Sequence, residues 1–203
     1  MKNRSNVRWL TQIALLAAIL LVLNYTPLGY LQVGPLSASL LTVPVAIGAI
    51  TMGPAAGALL GALFGATSFM QALQGKSVMG GALFAASPAG YFVVSVIGRV
   101  LMGLCVGLIF AALQKALPKK EKLTCYIAAF CAPFLNTVFY MGLLVAIFYN
   151  SEFVQNLAAK KGATNPLMFI VLVVGVQAVV EWCVCCAVAG TVTLPVRKYM
   201  KNH

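Results

Sequence analysis

The chain has no aspartate, three glutamates and one histidine, which is its last residue. Without clustered aspartates it cannot hold the metal ions of a membrane alcohol phosphotransferase. Without an internal histidine it lacks the base or ligand of an intramembrane serine or metalloprotease. No glycine-rich loop followed by Lys and Ser/Thr is present to cradle nucleotide phosphates, so active transport requires a partner that hydrolyses ATP. The cysteines, Cys105, Cys125, Cys131, Cys183, Cys185 and Cys186, all fall in apolar runs, where a thiol behaves as a small apolar group. Neither a metal site nor a cofactor is expected.

Charge of both signs is scarce: 8% of residues are charged and 62% are hydrophobic. That much apolar surface does not fit inside a water-soluble core, so the chain reads as an all-α integral membrane protein. Six apolar runs approach the roughly 20 residues that span a hydrocarbon layer. They cover Trp9 to Leu23, Ser37 to Met52, Pro54 to Met70, Pro88 to Leu113, Leu123 to Phe148 and Pro166 to Val196. The second is short, contains Pro44, and is separated from the third only by Gly53-Pro54, as in a tight hairpin. Membrane-spanning strands are not expected, because the runs lack the alternating polarity of a barrel. The first run reads as a retained helix rather than a cleaved signal peptide. One six-helix domain is expected over residues 1–203.

Basic residues mark cytoplasmic loops. Lys2, Arg4 and Arg8, then Lys115, Lys119, Lys120 and Lys122, then Arg197, Lys198 and Lys201 all fall on one side of a six-helix bundle. Only Lys76, Lys160 and Lys161 fall on the other, which places both termini in the cytoplasm. The net charge of +11 is therefore mainly a topology signal and no evidence for nucleic-acid binding.

The segment from Tyr25 to Pro35, which includes Tyr30 and Gln32, is uncharged, aromatic and rich in turn formers, and reads as a lid or pocket wall rather than a connector. Gly53, Gly57, Gly61 and Gly65 recur every fourth residue along the third run, a spacing that lets helix backbones approach closely. Ala14 and Ala18 form a shorter version in the first run, suited either to packing or to docking another membrane protein. The loop from Gln71 to Ser87, with Gln71 and Lys76, reads as a flexible gate at the mouth of the bundle.

Polar residues deep in apolar runs are costly and point to function. At 1.5 Å per residue, Arg99 lies ~16 Å below the outer end of its helix, with Gln177 and Asn136 near the same level. Glu181 follows Gln177 by one turn, Tyr91 and Ser95 lead down toward Arg99 at intervals of four, and Tyr140 stands one turn above Asn136. These residues outline a polar funnel open to the outside. Arg99 and Glu181 either neutralise each other and fix helix packing, or Arg99 receives a substrate carboxylate through paired hydrogen bonds with Glu181 orienting it.

Several segments together carry a family resemblance. Leu28 to Pro35, Thr42 to Ile50, Met52 to Ala58, Gly61 to Phe69, Gly98 to Gly103 and Asn136-Thr137 closely resemble substrate-binding S components of energy-coupling factor (ECF) vitamin transporters. The resemblance covers nearly the whole chain and is nearest to pantothenate-type members. It implies a vitamin-capture subunit of a bacterial plasma membrane, partnered by a transmembrane coupling subunit and two cytoplasmic ATPases. It further implies docking on the coupling subunit through Ala14 and Ala18. Substrate would be enclosed near the extracellular side by the loops after the first and third helices, and delivered by toppling of the whole subunit.

Pantothenate is the first expectation for the substrate and lipoate the second, since both present a carboxylate to Arg99 and Lys76. Riboflavin is an alternative that Tyr25, Tyr30 and Tyr91 could stack against, although Ser37-Ala38-Ser39 stands where riboflavin members often carry an acidic segment. A different class of protein, a self-sufficient proton-coupled carrier, would use Glu181 as its proton site.

Overall fold

Inside a hydrocarbon layer a chain rich in Ala, Leu, Val and Ile can satisfy its backbone N–H and C=O groups internally as helices. The computed structural model of the protein, which describes residues 2–26, 29–33 and 36–202, is built mainly in that way. Helix α1 (Lys2–Tyr25) leads into an antiparallel hairpin of β1 (Tyr30–Val33) and β2 (Leu36–Ser39), followed by α2 (Thr42–Met52) and α3 (Pro54–Leu73). Next come α4 (Val78–Ala86) and α5 (Pro88–Phe92), which continues through a π-helical turn at Val93–Ile97 into α6 (Gly98–Ala116). Helices α7 (Glu121–Phe148), α8 (Glu152–Lys161) and α9 (Pro166–Asn202) complete the chain.

Five of these helices are long and apolar enough to cross a membrane: Val7–Tyr25, Pro54–Leu73, Pro88–Ala116, Glu121–Phe148 and Pro166–Tyr199. The second apolar run departs from expectation. Its helix starts at Thr42 instead of Ser37, and its 11 residues extend only about 16 Å. The residues before it form strand β2, paired in register from Tyr30↔Ser39 to Val33↔Leu36, so their backbone groups are satisfied by the hairpin instead of by helix. Pro44 is tolerated because it occupies the first turn of α2, where a backbone N–H has no helical acceptor. The break to α3 is a tight one: Gly53 has φ of 94°, a backbone that favours glycine, and Pro54 opens α3.

The glycine row packs helix on helix. A Cβ on Gly57 would collide with the Gly103 carbonyl, one on Gly61 with the Arg99 carbonyl, and one on Gly65 would lie 2.6 Å from the Ser95 carbonyl. Gly53 belongs to the turn instead. Close contact of α3 with the α5–α6 segment thus places Phe64 beside Arg99.

Neither long connection is a plain loop. Residues 71–87, expected to be a flexible gate, contain α4, with the Ser77 hydroxyl accepting from the Gly80 N–H (3.1 Å). Ser87 caps α5 in the same way through Gly90 N–H (3.2 Å). Between α7 and α9, Ser151 caps α8, which ends on left-handed Gly162.

The two ends of the bundle are held differently. At one end Arg8 lies 5.7 Å from the centre of the Tyr199 ring, which puts the outer parts of α1 and α9 together. Arg197 there binds Glu121 Oε1 (2.9 Å), the Ile50 carbonyl (2.8 Å) and Gln114 Oε1 (3.0 Å), tying α2, α6, α7 and α9 into one clamp. At the other end Gln71 Nε2 donates to the Asn24 carbonyl and Oδ1, both at 3.1 Å, joining α3 to α1.

Candidate functional site

Glu181 lies 15 residues into α9, roughly 22 Å from its start, and so near mid-depth of the bundle. Its carboxylate is buried, 6% exposed, and Oε1 accepts hydrogen bonds from Ser39 N–H (2.8 Å) and Gln177 Nε2 (3.0 Å). The end of β2 therefore reaches the middle of the bundle. Above and beside Glu181 is a cavity of about 420 Å³. That volume suits a vitamin-sized molecule.

Arg99 is the cation of this cavity. The π turn before it, in which Gly98 N–H reaches back to the Val93 carbonyl, alters the regular helical ladder just where the side chain needs an acceptor. Arg99 Nη1 donates to the Ser95 carbonyl at 2.8 Å. Its guanidinium carbon lies 4.3 Å from the centre of the Phe64 ring and 4.8 Å from that of Tyr140. Ring faces stabilise a cation while leaving guanidinium edges for an incoming anion.

Of the residues expected at the site, Arg99, Asn136, Tyr140, Gln177 and Glu181 all line the cavity. Asn136 Oδ1 is buried and has no hydrogen-bond partner among the described residues. Tyr91 and Ser95 stand one layer behind the wall. Tyr91 is buried, stacks on Phe69 with ring centres 5.9 Å apart and hydrogen-bonds Tyr140, while Ser95 contributes its backbone carbonyl to Arg99.

Gln71 and Lys76 are not part of the cavity wall. Gln71 holds Asn24, and exposed Lys76 lies 5.7 Å from the centre of the Tyr25 ring, so both serve the junction between α1 and α3. The side chains of Tyr30 and Gln32 lie outside the described residues. Glu181 takes its hydrogen bonds from Ser39 and Gln177, and the Arg99 guanidinium acts on the same carboxylate as a nearby positive charge. At the terminal end an ion pair joins Arg197 to Glu121.

The sequence reading missed Ser39, Phe64, Ser68 and Ser77 as wall residues. Phe64 and Ser68 are one turn apart on α3, a spacing that could have flagged a shared face. Met79, Met141, Val173 and Val174 supply an apolar portion. No group of three or more metal-ligating side chains occurs among the described residues.

Among known families, residues 8–192 match the one described as ECF transporter, substrate-specific component. The chain belongs to this family. An ECF substrate-specific component is a transport subunit, not an enzyme, and works with an ECF module and a small-molecule substrate. Its apolar helices make it a multi-pass membrane protein. A search of curated proteins finds no match to the chain. Ala14 and Ala18 of this substrate-specific component are both exposed on α1, on a helix of which little is buried.

Proposed function

We propose that this ECF substrate-specific component captures a vitamin or vitamin-like carboxylate, with pantothenate the first candidate and lipoate the second. The observation that carries this reading is Arg99, buried at 9% exposure between two aromatic rings on the wall of a cavity. A buried cation held by ring faces is prepared for a ligand carboxylate, which would accept two charge-assisted hydrogen bonds in a low-dielectric site. The apolar patch of Val173, Val174, Met79 and Met141 is what keeps lipoate in view.

In this reading the chain acts as one domain crossing the bilayer six times, with α2 and the hairpin together forming the second crossing. Both termini are cytoplasmic in this reading, which the Lys and Arg distribution supports. The β1–β2 hairpin and α4 cover the extracellular mouth. Exposed Ala14 and Ala18 dock on the transmembrane coupling subunit, and two cytoplasmic ATPases drive toppling of the loaded subunit in a bacterial plasma membrane. The test is identification of the small molecule that co-purifies with the detergent-solubilised protein, followed by titration of that molecule. Recovery of a carboxylate vitamin supports the reading. Recovery of a ligand without an acidic group, or uptake in liposomes that needs no ATPase partner, overturns it.

A further inference from the structure

Glu181 has more capacity than the fold uses. Both of its hydrogen bonds from Ser39 and Gln177 fall on Oε1, Oε2 accepts none among the described residues, and the residue lines the cavity within reach of the Arg99 charge. Asn136, on another wall, has Oδ1 buried beside the same cavity with no donor among the described residues. A ligand with only hydrocarbon near these two acceptors would leave Asn136 Oδ1 unpaired as it is and take water from the Glu181 carboxylate without replacing its hydrogen bonds. One that supplied O–H or N–H groups would satisfy both.

We infer that Glu181 is a specificity-determining residue: with Asn136 it makes the cavity select carboxylates whose chains carry hydroxyl or amide N–H donors over carboxylates with bare hydrocarbon tails. The inference rests on the proposed binding of a carboxylate at Arg99 and deepens it. Arg99 reads the acidic end, and α7 and α9 read the rest of the molecule. Sites built to hydrogen-bond a ligand group reject analogues lacking it far more strongly than apolar pockets discriminate by size. Pantothenate has an amide and two hydroxyls. Lipoate has the carboxylate and no further donor.

Calorimetric titration of the full-length protein in detergent with pantothenate, lipoate and panthenol, the alcohol analogue that keeps the donors and lacks the carboxylate, tests this. The wild type is expected to prefer pantothenate over lipoate by roughly 100-fold. Glu181→Leu should weaken lipoate only by the roughly tenfold that loss of the Ser39 bond costs and pantothenate by a further tenfold or more, which narrows the preference to below about 10-fold. Glu181→Gln, which retains an acceptor oxygen, should keep most of it. A merely loosened hairpin would weaken both ligands by the same factor and leave the preference where it was, and that result would overturn the inference. Asn136→Leu should narrow the preference in the same direction and serves if Glu181→Leu does not fold. Lipoate binding as tightly as pantothenate to the wild type overturns the inference and leaves carboxylate capture standing. Panthenol binding as tightly as pantothenate overturns the carboxylate reading at Arg99 and the inference that rests on it. Failure of all three to bind overturns both.

Discussion

The backbone N–H of Ser39 donates to Glu181 Oε1 at 2.8 Å across 142 residues of sequence. It is a single bond between the last residue of the hairpin and the midpoint of α9. Because the acceptor is a carboxylate in a buried setting, the bond belongs to the stronger, charge-assisted class. Hairpin position and cavity wall are thereby joined at one atom.

Replacing Ser39 with Pro removes that donor. Strand geometry at the preceding residue suits a following proline, so local backbone conformation is retained. The bond to a charged group is worth about 1.5–3 kcal/mol, and part of that is recovered by water entering the gap. Ligand dissociation from Ser39→Pro is expected to be roughly tenfold faster, with far-ultraviolet circular dichroism unchanged. Stopped-flow release of the co-purified ligand measures the rate, and an unaltered rate would mean that the hairpin does not depend on Glu181 for closure.

Arg99→Lys tests whether shape matters as well as charge. Lysine keeps the cation but loses the flat guanidinium that lies against Phe64 and Tyr140, and it cannot offer a forked pair of donors to a carboxylate. A loss of about 1–2 kcal/mol in binding, or roughly 10-fold in affinity, is expected for a carboxylate vitamin, while the thermal unfolding temperature moves little. Isothermal titration with the ligand and its amide distinguishes the roles. Only the acid should weaken, and equal weakening of both would assign Arg99 to packing.

Much of this site was legible because the membrane makes polar residues expensive. Arg99, Asn136, Gln177 and Glu181 stand out in apolar runs, and helical rise alone places them at one depth. The hairpin was not legible: four-residue strands are too short to show alternation, and Leu36 to Ser39 joins an apolar run that favours helix. Helix α4 escaped for a related reason, since its nine residues are short and half of the loop around them is polar. Gln71 and Lys76 sit off the cavity wall and reach α1 instead, because a polar side chain near a helix end can serve a neighbouring helix as readily as a pocket. Phe64 was hidden by its neighbours Gly61 and Gly65, whose spacing reads as packing and is packing, but packing that delivers the ring to Arg99.

The glycine row therefore has a consequence for binding. A methyl group at Gly61 would collide with the Arg99 carbonyl, a backbone atom that cannot rotate away. Gly61→Ala should force α3 and α6 apart at a cost of about 1–3 kcal/mol and displace Phe64 from the guanidinium. Lower thermal stability and weaker ligand binding are expected together. Gly142→Ala is the matched control, since nothing lies within 4 Å of its added carbon. Fluorescence-detected size-exclusion after heating gives the stability difference, and equal behaviour of the two variants would show that the close approach of α3 and α6 is unimportant.

Ala14 and Ala18 separate capture from transport. Both are exposed on α1, four residues apart, and neither lines the cavity around Arg99. Small residues at that interval allow another helix to approach closely, and two leucines there would hold it away. The double variant Ala14→Leu, Ala18→Leu is expected to bind the vitamin within about twofold of the wild type, because distant sites act independently. It should nevertheless fail to co-purify with the coupling subunit and ATPases, and ATP-dependent uptake in proteoliposomes should fall to background. Retained uptake would move the docking surface away from α1. Loss of vitamin binding would instead show that α1 supports the cavity, through the Asn24–Gln71 junction or the hairpin that follows it.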